Sequence, residues 1–164
     1  HYPGADLGFV GEPVAIDATP VHRAFEDFHW PDGKERIPLI APVACGCGKE
    51  SGYLYNVNGD TAAALIARDL HAEKPVFISD ISGIYRDKDD PATIFSHLDR
   101  DEAMQLVKDE VIVGGMIPKV EACLFALEGG VNKAHIVAGS QPHALLLEIF
   151  TKSGVGTEIV LEKR

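Results

Sequence analysis

The chain has 164 residues, 46% hydrophobic and 24% charged, enough for one domain with a real core. It carries 25 acidic against 15 basic residues, a net charge of −10, which argues against nonspecific nucleic-acid binding because that needs clustered cations. No apolar run approaches the roughly 20 residues of a membrane span, so no membrane partner is expected.

The first residues, His1-Tyr2-Pro3-Gly4, form no basic-then-apolar leader, and the missing initiator Met reads as processing, trimming or excision from a longer chain. Three cysteines are an odd number, which argues against a disulfide framework and fits a reducing cytoplasm. Cys45-Gly46-Cys47 invites a metal reading, but no second pair completes a tetrahedral set and Cys123 sits in an apolar helical pattern. The pair reads instead as small residues in a Gly-rich loop.

In chain order, Asp6-Leu7-Gly8-Phe9-Val10-Gly11 is a turn leading into a strand at Pro13-Val14-Ala15-Ile16. Residues 20–28 place Val21, Ala24, Phe25 and Phe28 at helical spacing. Residues 29–36 are a polar loop around Pro31-Asp32-Gly33, and residues 37–44 are a nearly continuous apolar run, expected as a strand covered on both faces. Tyr53-Leu54-Tyr55 starts another strand.

Tyr55-Asn56-Val57-Asn58-Gly59-Asp60 then ends that strand and enters a small, apolar helix at residues 61–70, suited to close packing on a sheet. Asn and Asp are favoured there because their oxygens accept from unpaired backbone N–H groups. Each alone reads equally as a helix cap; three polar side chains in five residues exceed what one cap needs. Residues 74–80 read as a buried strand ending in Ser79-Asp80, and a carboxylate at a strand's carboxyl end lies where α/β folds bind ligands, although Asp there also suits a turn.

Beyond a charged loop, Thr93-Ile94 is a short strand. Residues 99–110 form a helix with Asp99 as cap, Asp101 and Glu102 in the first turn, and Ala103, Leu106 and Val107 on its apolar face. A second helix through Val120, Cys123, Leu124 and Leu127 stops at Gly129-Gly130. Residues 133–137 are a strand, residues 142–150 a helix with Leu145, Leu146, Ile149 and Phe150 inward, and residues 157–161 the last strand. Alternating strands and helices specify an α/β three-layer αβα sandwich around a mostly parallel sheet, in a single domain spanning residues 1–164.

Lys119 follows Gly114-Gly115 and Pro118, which suit a tight turn into a helix. A cation at a helix N-terminus opposes the dipole by about 0.3–1 kcal/mol, so it is more useful where an anion binds between it and the amides; a solvated surface Lys is the alternative.

Three of these stretches together resemble acetylglutamate kinases of the amino acid kinase family. They are residues 55–60, Ser79-Asp80-Ile81-Ser82-Gly83-Ile84, and Gly114-Gly115-Met116-Ile117-Pro118-Lys119-Val120-Glu121-Ala122. Residues 6–11 and the tail from His143 through Gly156-Thr157 fit the same family, so the likeness runs in order along almost the whole chain. Cys45-Gly46-Cys47-Gly48-Lys49 and Trp30-Pro31-Asp32-Gly33-Lys34 depart from its pattern.

The resemblance implies the second, ATP-binding half of such a kinase plus part of the acetylglutamate site. The family's first half is absent, and with it the glycine-rich loop, a second catalytic lysine and an arginine for the substrate carboxylate. It further implies phosphoryl transfer from ATP, carried with Mg2+, to the side-chain carboxylate of N-acetyl-L-glutamate in arginine biosynthesis. No protein ligand to the magnesium is assigned.

On that likeness Lys119 neutralises charge on the transferring phosphoryl and Asp60 orients the lysines, while Asn56 and Asn58 serve the substrate. Asp80, Ile81, Ser82, Gly83, Ile84 and Tyr85, with Val111, Ile112 and Val113, line the nucleotide pocket. His135, Glu148 and Gly154 match positions that bind inhibitory L-arginine in feedback-sensitive members, which are homo-oligomers; a strand-end His and a helix-surface Glu are the alternative. Two other readings stay open: a related kinase acting on another acyl acceptor, and a nonenzymatic module that senses arginine or nucleotide.

Overall fold

The computed structural model describes residues 9–26, 37–151 and 154–162. The expected turn at Asp6-Leu7-Gly8 and the loop at residues 29–36 lie outside them. Among the described residues the helices are α1 (Thr19–Glu26), α2 (Gly59–Asp69), α3 (Arg100–Lys108), α4 (Met116–Glu128) and α5 (Ala144–Phe150). The strands are β1 (Val43–Cys45), β2 (Leu54–Asn56), β3 (Val76–Ser79), β4 (His97–Asp99), β5 (Ala134–Ala138) and β6 (Thr157–Val160).

Four strands make one sheet in the order β3-β5-β6-β4, and β1 with β2 forms a separate antiparallel ribbon. β3 runs parallel to β5 and β4 parallel to β6, whereas β5 and β6 are antiparallel. The α/β architecture is as expected, with a mixed sheet.

Alternation along β5 assigns its two faces. Ala134 and Ile136 join Phe77, Leu98 and Ile159 in the core under α4, while His135 reaches Glu148 of α5 on the other side. β5 is buried at every position because both faces are covered. α4 is apolar nearly all round, burying Met116, Val120, Ala122, Cys123, Leu124, Ala126 and Leu127. α2 presents Ala64 and Ala67, small enough for close approach, and its main partner is α4 rather than the expected sheet.

The α3 reading is met in detail. Asp99 accepts from the Glu102 N–H at 2.8 Å and Glu102 returns a bond from the Asp99 N–H at 3.0 Å, a reciprocal capping box. Gly129 caps the end of α4.

Four local expectations are corrected. Pro13–Ile16 is not a strand; Pro13 has no ladder donor and Val14 is largely exposed. The 37–44 run is not a strand covered on both faces. Only Val43–Cys45 pairs, and Ile37 and Leu39 are 95% and 99% exposed. Thr93-Ile94 divides between a 3-10 turn at Pro91–Thr93, capped by Asp90, and a single bridge from Ile94 to Tyr85; the strand is at His97–Asp99. In α5, Leu145, Leu146, Ile149 and Phe150 face outward, and the buried side is Ala144 and Glu148, one turn apart.

Candidate active site

The site begins where α2 and α4 start. Asn58 is the N-cap of α2, its side-chain oxygen accepting from the N–H groups of Asp60 at 2.8 Å and Thr61 at 3.1 Å. That places Asp60 in the first turn, where a carboxylate suits the helix dipole. Gly114, at φ +57, takes a left-handed conformation that residues with a Cβ avoid, and turns the chain into α4. Lys119 follows in the first turns of that helix.

The two first turns meet. Lys119 Nζ donates to Asp60 Oδ2 at 2.8 Å, with both side chains about four-fifths buried (19% and 24% exposed). The ammonium sits at a helix end that disfavours it, and Asp60 supplies the compensating charge. Beneath the pair lies Cys123, fully buried. Burial pushes its thiol up, Asp60's charge pushes it further, and Lys119 pulls it back. Cys123 is therefore a core thiol and not a nucleophile.

Beside the start of α4 a cleft of about 530 Å³ opens beyond the carboxyl end of β3. One wall is Ile81, Gly83, Ile84 and Tyr85; the other is Val111, Ile112 and Val113, running into Met116. Asp80 and Ser82 belong to the same loop but are not among the lining residues. Asp80 instead accepts from the Ser79 hydroxyl at 3.0 Å. Met116, which lines the cleft, and Lys119 are three apart on α4 and share one side of the helix, although Lys119 and Asp60 are not themselves among the lining residues.

Charged lining residues were not anticipated: Arg86, Asp87 and Lys88 at one rim and Glu110 at the other. They follow directly on expected residues, but a charged loop gives no sign of which way it folds. Asn56, at the end of β2, is exposed; its backbone N–H donates to the Phe9 carbonyl at 2.9 Å and its carbonyl accepts from Gly11.

His135, Glu148 and Gly154 also converge. His135 Nδ1 lies 2.6 Å from Glu148 Oε1, and Glu148 Oε2 accepts from the N–H groups of Val155 at 2.6 Å and Gly156 at 3.0 Å. At Gly154 a Cβ would come within 2.7 Å of that same oxygen. Neither residue is at the surface: His135 is 4% exposed and Glu148 8%. His135 Nε2 is 3.4 Å from Glu158 Oε2, without hydrogen-bond alignment. Cys45 and Cys47 are exposed, and no cluster of three or more metal-ligating side chains occurs among the described residues.

Residues 5–138 match the amino acid kinase family. The chain belongs to that family. Its curated relatives include an acetylglutamate kinase of Thermosynechococcus vestitus, 47% identical over 154 residues, and one of Heliobacterium modesticaldum, 44% identical over 155. Each alignment covers 94% of this chain and 49% of the relative, so the chain spans about half the length of the curated relatives it matches. Among solved structures, an N-acetylglutamate synthase of Neisseria gonorrhoeae complexed with coenzyme A and N-acetyl-glutamate superposes with a TM-score of 0.78 at 27% identity. That superposition covers 99% of this chain and 35% of the synthase. This family member is thus acetylglutamate-kinase-like along its described length, and none of its described helices is long and apolar enough to cross a membrane.

Proposed function

We propose that the chain is the MgATP-binding half of a phosphotransferase acting on the side-chain carboxylate of N-acetyl-L-glutamate. The observation that carries this reading is the Lys119–Asp60 pair held at 2.8 Å, with Lys119 on the helix, α4, whose first residue lines the cleft. Phosphoryl transfer asks a protein mainly for positioning and charge neutralisation.

The cleft suits a nucleotide in size and lining. Pockets for small ligands run about 300–1,000 Å³ and are mostly apolar with a few placed polar groups. Ile81, Ile84, Val111 and Met116 offer apolar surface to a base, and Arg86 and Lys88 offer cations to phosphates. Lys119 takes charge developing on the transferred phosphoryl, and Asp60 holds the ammonium in place. Magnesium arrives on the nucleotide. Asn56 serves the acyl substrate, while Asn58 acts through the cap that sets Asp60. The named relatives are acetylglutamate kinases, which supports this acceptor over another acyl group.

Titration of the chain with MgATP is expected to give 1:1 binding. The protein extended to its relatives' length is expected to release ADP with N-acetyl-L-glutamate and not with rival carboxylates. Failure to bind MgATP would sink the proposal; turnover with a different carboxylate would transfer it to that acceptor.

A second reading rests on the His135–Glu148–Gly154 cluster as an L-arginine effector site. Three of the roughly four lone-pair positions on the Glu148 carboxylate are engaged, which leaves one acceptor position for a guanidinium N–H. Calorimetry with L-arginine decides it: heat in the wild type that vanishes in Glu148→Gln supports the site, and no heat removes it.

A further inference from the structure

The cleft wall is tied to a residue far along the chain. The Ile84 N–H donates to Thr157 Oγ1 at 2.9 Å, across 73 positions, and both residues are buried, Thr157 completely. The neighbouring Gly83 leaves no room for a side chain there: a Cβ would lie 2.6 Å from the same hydroxyl and 3.1 Å from the Thr157 amide nitrogen. The wall of the cleft is therefore seated directly on the first residue of β6.

Thr157 is in turn held from behind. The two residues before it, Val155 and Gly156, give their N–H groups to Glu148 Oε2, and Glu148 Oε1 faces His135 Nδ1. Gly156 is itself pressed against β5, where a Cβ would overlap the Ile136 carbonyl. A buried polar chain thus runs from β5 and α5, through the start of β6, to the backbone that lines the cleft. The bonds along this chain resist opening, since each one left unmade would cost a desolvated group about 1–3 kcal/mol.

We propose that Thr157 is a positioning residue for the cleft, fixing the Gly83–Ile84 wall, and that Glu148 acts on that wall through Thr157. The inference rests on the nucleotide reading only for what the cleft binds. The link itself is a matter of backbone order. A hydroxyl at this position makes a bond that a methyl group cannot, so Thr157→Val removes the acceptor while keeping the shape.

The test uses two readouts on the wild-type chain and four single variants. The first is hydrogen exchange of the Ile84 amide, compared with the core amides of Ile136 and Ile159. The second is MgATP affinity by calorimetry. Thr157→Val is expected to speed Ile84 exchange at least tenfold without matching acceleration in the core, and to weaken MgATP binding about three- to tenfold, the size of one buried hydrogen bond. Thr157→Ser, which keeps the hydroxyl, should remain near wild type in both. Gly83→Ala, which pushes the wall off the hydroxyl from the other side, should copy Thr157→Val and stands in for it if that variant does not fold. Glu148→Gln should show a smaller effect of the same kind, and adding it to Thr157→Val should make nothing worse.

Unchanged Ile84 exchange and MgATP affinity in Thr157→Val or Gly83→Ala would overturn the positioning role. Additive effects in the double variant would overturn the link to Glu148. Absence of MgATP binding by the wild type would count against the nucleotide reading alone, with Ile84 exchange still deciding the link.

Discussion

Lys119 and Asp60 stand 59 residues apart in sequence and 2.8 Å apart in space. An ammonium at the start of a helix is a local misfit, and that misfit marks it as a candidate before any coordinates. Its partner is less marked, since an Asp in a first turn has an ordinary reason to be there. Lys119→Met, made in the protein at its relatives' full length, is expected to cut turnover about 10²–10³-fold, as loss of one charge-stabilising donor does. Steady-state ADP release measures it, and a change under tenfold would leave Lys119 without a catalytic part.

The cysteines make a simpler prediction at the same scale. Exposed Cys45 and Cys47 should alkylate in the native protein, and Cys123, buried with its thiol pushed up, only after denaturation. Mass spectrometry after iodoacetamide would show two labels, then three.

Glu158 gives the pH dependence. Burial raises its carboxyl, but the Lys133 ammonium at 2.9 Å and His97 at 3.1 Å outweigh that and hold it below its ordinary 4.5. A depressed folded value contributes stability above the unfolded value and loses it as pH falls through the folded one. The urea midpoint of the wild type should therefore fall more steeply below about pH 4.5 than that of Glu158→Gln.

Elements divide into those whose ends carry their own chemistry and those that borrow it. α3 is the first kind: Asp99 and Glu102 supply both halves of its cap from within four residues, so its start was legible. Asp99→Ala should destabilise the protein by about 0.5–2 kcal/mol in a denaturant titration. α5 is the second kind. Its leucines, Ile149 and Phe150 look like a core stripe, yet the buried side holds Glu148. A carboxylate is driven inward only where donors wait for it, and His135, Val155 and Gly156 come from other elements. β4 was missed because a three-residue strand, His97–Asp99, has too few positions to show a period.

At the scale of the molecule, the apolar run at residues 37–44 reads as core material, but most of it is exposed. Ile37, Leu39, Val43 and Leu54 remain largely exposed, as does Ile78 on the edge strand β3. Apolar side chains exposed to this degree favour association where they cluster. The chain studied alone is expected to associate with itself as concentration rises, and Ile37→Ser with Leu39→Ser to shift sedimentation velocity toward monomer. Unchanged association would place the contact elsewhere.

The sequence by itself determined the α/β alternation, the cap of α3, the stop of α4 at Gly129 and the candidate status of Lys119. Each follows from physics acting within a few residues: capping, dipole and backbone freedom. Only the tertiary structure decided which strands run antiparallel, how closely Asp60 approaches Lys119, that Glu148 is buried, and that Thr157 meets the Ile84 N–H. Those outcomes depend on which distant donor meets which acceptor once water is expelled, and no local pattern encodes that pairing.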